Sequence, residues 1–421
     1  MFKAVAGYYK DNERLRLLVK IIAVWLISRA VMLLMVPVMN LIADEPHQWL
    51  YYMNPWDAEW YKGIVENGYQ PPKSSGMASW AFFPLYPLVC MAVRLVTMGC
   101  IDTYAVGMTV SNICIIIAVY YAVKYADIEI DMKKYNKKTV EDIIIFLMLA
   151  GPFAVYYGAM YTEALFILCV ILCFYNSARH NYMAAGIAAA MASATRIVGC
   201  MLVFVLITYM FMEACAECRA KHNSEMKDNK EAGIMLAGNI SLASVIRTFI
   251  KNVIKEPKKL VAIMISPLGI FIYMNYLRYL CGDSWAFYHV QRAWRTQKMF
   301  PVIGVLFKSC TGQLTAASGV KTLNGIILGW LCVITLMLYA AMIRKKHYAL
   351  GIFGIIVLLI PLTSSVMSTL RFIMGSFVIY IGVAEIIAGC NRYVRYGIIA
   401  LMSIVEVVVI SAWYFWDGLL M

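Results

Sequence analysis

Long apolar stretches recur along the whole 421-residue chain and limit it to one class of fold. Each is close to the roughly 20 residues that a helix needs to cross about 30 Å of hydrocarbon. Only helices and closed barrels satisfy their own backbone hydrogen bonds in lipid, and the sequence lacks the short alternating pattern of a barrel. The composition agrees, since 62% of the residues are hydrophobic and 14% are charged. The sequence therefore predicts an all-α polytopic membrane protein.

Basic residues are distributed unevenly between the loops that connect the predicted spans. The spans lie at 21–42, 81–99, 104–123, 140–157, 160–177, 182–195, 197–213, 259–281, 323–343, 349–366, 370–390 and 395–416. Loops rich in Lys and Arg favour the cytosolic side, so the net charge of +13 indicates membrane orientation and not nucleic-acid binding. On this rule the basic loops at 179–180, 214–258, 344–346 and 392–395 are cytosolic.

One basic segment conflicts with this orientation. The 124–138 loop lies on the outer side if both 81–99 and 104–123 cross the membrane. Either Arg94 marks 81–99 as a partial or interfacial helix, or the loop departs from a rule that is statistical. The predicted number of transmembrane helices is therefore 11 or 12.

The loops divide the chain into four predicted parts. The apolar run at 21–42 is too long for the core of a signal peptide and is interpreted as an uncleaved anchor. The 214–258 segment combines charge with an amphipathic pattern at 240–255, which is typical of a helix lying on an anionic leaflet. The parts are a cytosolic N-terminus at 1–20, a transmembrane module at 21–213 with an outer loop at 43–80, the basic cytosolic loop at 214–258, and a second transmembrane module at 259–421 with an outer loop at 282–322.

The first outer loop carries acidic and aromatic residues beside the membrane, reading NPWDAEWYKGIVENGY over 54–69. Pro55 favours a helix start, which places Asp57 and Glu59 in the opening turn. Asp57 and Tyr61 then share a face, while Glu59 points away, so Asp57 is predicted to face the bundle. Two alternatives stay open. Either both acids are only helix-start carboxylates that the helix dipole stabilises, or together they hold a divalent cation.

Further polar residues are predicted on the same outer side as this loop. A carboxylate base together with arginines suits a reaction in which a hydroxyl attacks and a phosphate leaves. Purely structural roles for these side chains stay open as well. Arg196 could extend from a helix end toward the membrane interface, and Glu163 could cap a span. Arg371 could likewise only anchor its helix. The polar group comprises Tyr161, Thr162, Glu163, Arg196, Asp283, Gln291, Arg292, Arg295 and Arg371, with 364–371 as its last segment.

Six blocks in order resemble the PIG-V-like family, the relatives of GPI mannosyltransferase II within the GT-C superfamily of polytopic glycosyltransferases. The first-loop block WDAEWYKGIVENGY at 56–69 and its follow-on AFFPLYPLV at 81–89 are the most specific, together with DSWAFYHVQRAWR at 283–295. The other three are GPFAVYYGAMYTEALFIL at 151–168, ASATRIVG at 192–199 and STLRF at 368–372.

The resemblance implies a GT-C-type bundle with a long extracytoplasmic first loop, and inverting transfer of a mannosyl or other hexosyl residue. The donor would be a polyprenyl- or dolichyl-phosphate sugar, the acceptor a hydroxyl of a lipid- or glycan-borne molecule, and the reaction would take place on the non-cytosolic face. Asp57 corresponds to the general base. Residues matched as substrate-binding are Glu59, Trp60, Tyr61, Glu163, Arg196, Gln291, Arg292 and Arg371.

The remaining expectations concern location, cofactors and partners. The chain resembles bacterial members, which implies the bacterial cell membrane, or the endoplasmic reticulum if the source is eukaryotic. Trp60 stands where eukaryotic members often have His, so the acceptor stays open. The sequence requires no cofactor, and membrane lipids and an accessory subunit are the expected further partners.

Two functions from other classes compete with a glycosyltransferase. A transporter or lipid flippase would concentrate charges near the bilayer midplane and show inverted repeats, and no repeat is visible in this sequence. A noncatalytic subunit of a glycosylation complex would keep the fold and tolerate the loss of Asp57.

Overall fold

The structure is a computed structural model that describes residues 12–43, 45–73, 76–231, 241–293, 301–313, 322–363, 366–417 and 419–420, with only the backbone at 225–231. All regular structure in these ranges is helical, which confirms the all-α class. The helices are α1 Glu13–Ile42, α2 Trp49–Met53, α3 Asp57–Asn67, α4 Leu85–Val96, α5 Thr103–Glu129, α6 Lys137–Leu149, α7 Glu163–Ala178, α8 Tyr182–Ser193, α9 Leu202–Glu231, α10 Leu242–Lys255, α11 Pro257–Ile265, α12 Leu268–Cys281, α13 Ala286–His289, α14 Val302–Cys310, α15 Thr322–Arg344, α16 Tyr348–Leu362, α17 Thr369–Gly375, α18 Val378–Gly389 and α19 Arg392–Tyr414. Short 3₁₀ helices cover Ser79–Ala81, Ala154–Tyr157, Ile197–Met201 and Val290–Ala293.

Several helices are long and apolar enough to cross a membrane, as a multi-pass protein requires. Among the described residues there are five such segments, Glu13–Ile42, Thr103–Glu129, Ile197–Ser224, Thr322–Arg344 and Arg392–Tyr414. The number rises to seven if two bent pairs each count as one span, α11 with α12 at 41° and α17 with α18 at 71°. Four shorter apolar helices, α4, α7, α8 and α16, occupy other predicted spans. Hydropathy thus locates the apolar segments but does not reveal that some are short or bent.

Local side-chain chemistry explains where helices begin and break. Asp102 Oδ1 accepts the backbone N–H of Tyr104 at 2.8 Å and thereby caps the start of α5. Between α11 and α12, Pro267 has no backbone N–H to continue the helix. Between α17 and α18, Phe377 has a φ of 63°, a left-handed conformation that interrupts a right-handed helix.

The length and the connections of α4 bear on the open question about span 81–99. This helix has 12 residues, about 18 Å, which is short of the roughly 30 Å of a hydrocarbon core. At the start of α5, Thr103 donates a hydrogen bond to Glu66 of α3 at 2.6 Å. Near the far end of α5, Lys137 contacts Glu13 at 2.8 Å and Asp127 at 3.2 Å. Helix α4 therefore returns the chain to the end where α3 lies, which favours the partial-helix alternative.

These contacts define two ends of the bundle. The site end holds α3 and the start of α5, and the basic end holds the start of α1 and the loop between α5 and α6. The basic 124–138 segment thus reaches the end of the bundle where α1 begins. Its position agrees with the distribution of Lys and Arg that the sequence shows elsewhere.

Helix α7 lies at the centre of the bundle and carries Glu163 as its first residue. Residues 163–171 of this helix are all buried, as expected for a helix that is hydrophobic all round. It packs against α5 on one side and α8 on another. The position of Glu163 is therefore fixed by a helix with neighbours on several faces.

An ion-pair cluster connects three helices at the basic end. Nδ1 of His347 lies 2.7 Å from Oε1 of Glu129, and Nε2 lies 3.6 Å from Oε2 of Glu385. Lys345 adds a contact of 3.0 Å to Glu385. Burial alone would lower the pKa of His347, but its hydrogen bonds to the two carboxylates outweigh burial and raise the pKa to about 9.

Helix α10 crosses α9 where the α9 sequence changes from apolar to charged, after residue 212. Phe249 contacts the ring of Phe211 with centroids 6.0 Å apart, and Thr248 accepts a hydrogen bond from Cys218 Sγ at 3.3 Å. Its other side exposes an apolar stripe at four-residue spacing, Leu242, Ile246, Ile250 and Ile254. Basic residues at 247, 251 and 255 lie beside this stripe.

Candidate active site

The approach to α3 is held against the segment that precedes α7. Asn54 Oδ1 accepts the backbone N–H of Met160 at 2.7 Å. Tyr161 donates its hydroxyl to the carbonyl of Pro55 at 2.7 Å, and the same hydroxyl accepts the backbone N–H of Asp57 at 3.3 Å. Trp56, just before α3, has a φ of 45°, which is uncommon for a bulky residue. The backbone that carries Asp57 is therefore fixed by contacts about 100 residues away in sequence.

Two carboxylates and two guanidinium groups meet beside this loop. Oε1 of Glu163 accepts from Arg196 Nη1 and from Arg371 Nε, each at 2.6 Å. Arg371 Nη1 also donates to Asp57 Oδ2, so its guanidinium bridges the two acids. We call these four residues the carboxylate–arginine cluster. Its formal charge is zero, because two negative groups face two positive ones.

Exposure within the cluster increases from Glu163 to Asp57. The side chain of Glu163 is 1% exposed, that of Arg371 10%, that of Arg196 14% and that of Asp57 24%. No described hydrogen bond engages Oδ1 of Asp57, whereas Oδ2 is held by Arg371. A reactant approaching from outside would therefore meet Asp57 before the buried acid.

The other acidic and aromatic residues of α3 point to different neighbours. Glu59 is exposed and accepts a hydrogen bond from Tyr104 at 2.8 Å, in line with its predicted angle away from Asp57. Tyr61 is buried, as a shared face with Asp57 requires, and donates to Thr162 Oγ1 at 3.4 Å. Burial is also the main reason why the pKa of Tyr61 lies well above its usual value. Trp60 stacks on Phe82 with ring centroids 5.6 Å apart.

The late outer block lies elsewhere at the site end. Gln291 and Arg292 belong to the 3₁₀ helix Val290–Ala293, which packs against Ser79–Ala81. Within the described ranges, no hydrogen bond or ion pair joins either side chain to the carboxylate–arginine cluster. Arg295 and the start of the 364–371 segment lie outside the described residues. The structure thus gathers Asp57, Glu163, Arg196 and Arg371, and leaves Gln291 and Arg292 apart.

Asp283 of the same block pairs with His289, at 2.6 Å from Oδ2 to Nδ1. This hydrogen bond, supported by the backbone N–H of Trp285, lowers the pKa of Asp283. Both side chains are substantially exposed. The pair closes a short turn at the end of α12 and makes no described contact with Asp57.

Sequence reasoning missed two aromatic residues of the site. Trp413, near the end of the last apolar stretch, is fully buried. It packs edge-on against Trp56 and Tyr156, with ring centroids 5.4 Å and 4.8 Å away. The sequence gives no signal for this position, because an aromatic residue at the end of an apolar stretch looks the same whether it faces lipid or a neighbouring helix. Tyr161 was noted only as part of a polar group, although its ring also lies 4.8 Å from the Arg371 guanidinium.

The divalent-cation alternative can be compared with these contacts. Asp57 and Glu59 have separate partners, Arg371 and Tyr104. In the part of the chain that the structure describes, no three His, Cys, Asp or Glu side chains are grouped so as to hold a metal ion. Hard cations prefer six or more oxygen ligands, and here one of the two acids already neutralises a guanidinium group.

Comparison with known proteins gives one family match. A family model described as mannosyltransferase (PIG-V) matches residues 15–286, which is more than half of the chain. That range includes α3, Glu163 and Arg196 and ends before Arg371. No curated protein sequence shows significant similarity to the chain.

Solved structures match over most of this chain at low identity. Archaeal oligosaccharyltransferase AglB from Archaeoglobus fulgidus, in complex with an inhibitory peptide and a dolichol-phosphate, is 13% identical, covers 98% of this chain and 56% of its own length, and gives a TM-score of 0.46. ArnT from Cupriavidus metallidurans, bound to undecaprenyl phosphate, is 11% identical, covers 91% and 62%, and gives 0.48. The chain thus spans 56% and 62% of the length of these two solved chains.

Proposed function

The chain belongs to the mannosyltransferase (PIG-V) family, and from this premise we propose that it is a membrane glycosyltransferase. It transfers a mannosyl or other hexosyl residue from a polyprenyl-phosphate donor to a hydroxyl of a lipid- or glycan-borne acceptor. The reaction takes place at the site end of the bundle, on the extracytoplasmic face. The family match confirms the resemblance, and it spans the sequence blocks at 56–69, 81–89, 151–168 and 192–199.

Asp57 carries this proposal, because it is the most exposed carboxylate of a cluster that otherwise lies inside the bundle. In the reaction the acceptor hydroxyl attacks the anomeric carbon, and its proton passes to the carboxylate of Asp57. The bond between the anomeric carbon and the phosphate oxygen breaks, and its electron pair leaves with the polyprenyl phosphate. Attack opposite the leaving group inverts the anomeric centre.

Arginine and the aromatic residues supply the surroundings that such a reaction needs. A guanidinium group beside the base can stabilise the negative charge that develops on the leaving phosphate. Arg371 lies next to Asp57, and Glu163 holds it there from the buried side. Tyr161 fixes the backbone of Asp57 through Pro55. Glu163 and Tyr161 are therefore positioning residues in this proposal.

The membrane location of the cluster supports a lipid-linked donor. At least five helices can cross a bilayer, and the cluster lies among helices of the same bundle. A sugar carried on a membrane lipid can reach such a site from the side, whereas a soluble nucleotide sugar would have no comparable anchoring. Asp57, at the start of α3, lies at the end of the bundle away from the basic loops, which supports an extracytoplasmic reaction.

The test is sugar transfer by purified protein in nanodiscs. Radiolabelled polyprenyl-phosphate mannose is the donor, a cell lipid extract is the acceptor pool, and wild type is compared with Asp57→Asn. Glu66→Gln is the matched control, because this change also turns an acid of α3 into an amide. Glu66 contacts Thr103 and not the carboxylate–arginine cluster. We expect transfer by wild type and by the control, with a loss of at least about 100-fold in Asp57→Asn.

Other outcomes would point to the competing functions. Equal transfer by wild type and Asp57→Asn would refute the assignment of the base. If no variant transfers sugar, including in the presence of Mg²⁺ or Mn²⁺, the glycosyltransferase proposal fails for this donor, and a transporter or noncatalytic subunit becomes the better interpretation. Activity that appears only with added cation would support the divalent-cation alternative.

A further inference from the structure

We propose that Arg371 exchanges partners during the reaction, from Asp57 to the phosphate of the donor, so that the base is released only when donor is bound. The proposal rests on the proposed function and adds regulation to the same site. Its starting point is geometric: Nη1 of Arg371 donates to the carboxylate oxygen Oδ2 of the residue that must take up a proton. While this hydrogen bond is in place, Oδ2 is directed at Arg371 and not at an incoming acceptor hydroxyl.

The two carboxylate partners of Arg371 differ in burial. Glu163 is 1% exposed and holds Nε at 2.6 Å, while Asp57 is 24% exposed and holds Nη1. A phosphate arriving from outside can therefore compete for the Asp57 end of the guanidinium but not for the Glu163 end. Glu163 is the permanent partner, and Asp57 is the exchangeable one.

Glu163 has unused capacity to keep Arg371 in place during the exchange. Its second oxygen, Oε2, is buried and has no hydrogen-bond partner in the part of the chain that the structure describes. A carboxylate can accept a guanidinium in two parallel hydrogen bonds. When Nη1 leaves Asp57, Arg371 can therefore be held by both oxygens of Glu163 without leaving the site.

Charge balance gives the exchange a direction. Arg196 also donates to Oε1 of Glu163 at 2.6 Å, so the buried acid remains neutralised while Arg371 turns. Once a donor phosphate takes the place of Asp57 on Arg371, Asp57 no longer has a cation beside it and can accept the proton of the acceptor hydroxyl. Binding of the donor before the acceptor thus activates the base. An acceptor that binds alone meets Asp57 while its carboxylate is still paired with Arg371.

Phosphate affinity tests this competition without depending on turnover. The probe is farnesyl phosphate, a short polyprenyl phosphate, titrated into purified protein in nanodiscs. Asp57→Asn removes the competitor of the phosphate, and we expect its affinity for the probe to rise by about 5-fold or more. Glu66→Gln removes a negative charge from the same helix without touching Arg371, and its affinity is expected to stay unchanged.

Two arginine backgrounds separate exchange from simple loss of negative charge. Lysine carries its charge on a single nitrogen and cannot reproduce the Nε and Nη1 donors through which Arg371 contacts Glu163 and Asp57. In an Arg371→Lys background, the gain from Asp57→Asn should disappear. In an Arg196→Lys background it should persist, because Arg196 contacts Glu163 but not Asp57. Thermal unfolding of each variant shows which variants are folded. If Arg371→Lys does not fold, the comparison of probe affinity between Asp57→Asn and Glu66→Gln decides whether the exchange takes place.

The outcomes separate this inference from the proposed function. Wild type that transfers sugar, combined with an Asp57→Asn variant that binds the probe no more tightly, overturns the exchange and leaves the function standing. A gain that persists in the Arg371→Lys background, or equals the gain in Glu66→Gln, also overturns it. Wild type that neither transfers sugar nor binds farnesyl phosphate refutes both.

Discussion

Replacing Glu163 by Gln should destabilise the protein far more than replacing Asp57 by Asn, although each change removes a carboxylate from the same guanidinium group. Glu163 is 1% exposed and accepts hydrogen bonds from two arginines at 2.6 Å. Removing one partner of a buried ion pair costs about 3–5 kcal/mol, because the remaining charge stays buried without compensation. Gln keeps an oxygen acceptor, so we expect the lower end of that range.

For Asp57 the expected loss is smaller. Its side chain is 24% exposed, and water can replace part of the lost interaction. Partly exposed ion pairs contribute on the order of 1 kcal/mol or less. The difference between the two variants should therefore be about 2 kcal/mol or more in the free energy of unfolding, with Glu163→Gln the less stable.

The measurement is reversible unfolding of both variants and wild type in mixed micelles, by titration with denaturing detergent. Glu66→Gln is the control for an exposed acid on α3. Equal losses for Glu163→Gln and Asp57→Asn would refute the assignment of Glu163 as the buried anchor. A loss below about 1 kcal/mol for Glu163→Gln would show that its two arginines find other partners.

Three further changes have defined outcomes. Tyr161→Phe removes the hydroxyl that accepts the N–H of Asp57, and we expect roughly 1 kcal/mol less stability together with slower sugar transfer, measured by unfolding and by initial rate. The pKa of His347 is raised from 6.5 to about 9, so its contribution to stability is complete below pH 6.5 and is lost as the pH rises through about 9. Thermal unfolding between pH 6 and 10 should show this loss, and the pH dependence of stability should be weaker in His347→Gln. Replacing Ile246 and Ile250 of the exposed stripe by Ser should lower the retention of phosphatidylglycerol in native mass spectrometry, and unchanged retention would contradict an interfacial role for α10.

The sequence predicts the class of the fold better than the shape of its helices. Apolar length and the Lys and Arg distribution are local properties, and they are enough to locate the apolar segments and to raise the doubt about 81–99. Bends depend on single backbone positions such as Phe377, whose positive φ follows no hydropathy rule. The predicted span at 370–390 is therefore two helices at 71°.

The members of the site could be proposed from sequence, but their pairing could not. Orientation and the family resemblance brought Asp57, Glu163, Arg196 and Arg371 to one side of the membrane. Which arginine meets which acid depends on tertiary packing, since Asp57 and Arg371 are 314 positions apart. The same packing separates Gln291 and Arg292 from the cluster, and both residues lie beyond the end of the family match at residue 286.

The backbone at Trp56 connects the stability of the protein with the aim of its base. A bulky residue at a φ of 45° costs about 1–3 kcal/mol, and surrounding packing must impose it. Glycine would relax that position without a steric penalty, but Trp56→Gly would also remove the indole that contacts Trp413 and release the turn that aims Asp57. The loss of a large packed aromatic side chain costs about 3–5 kcal/mol, which exceeds the strain that it relieves. Selection for heat resistance and selection for catalysis would therefore both keep tryptophan at this position, in spite of its strained backbone.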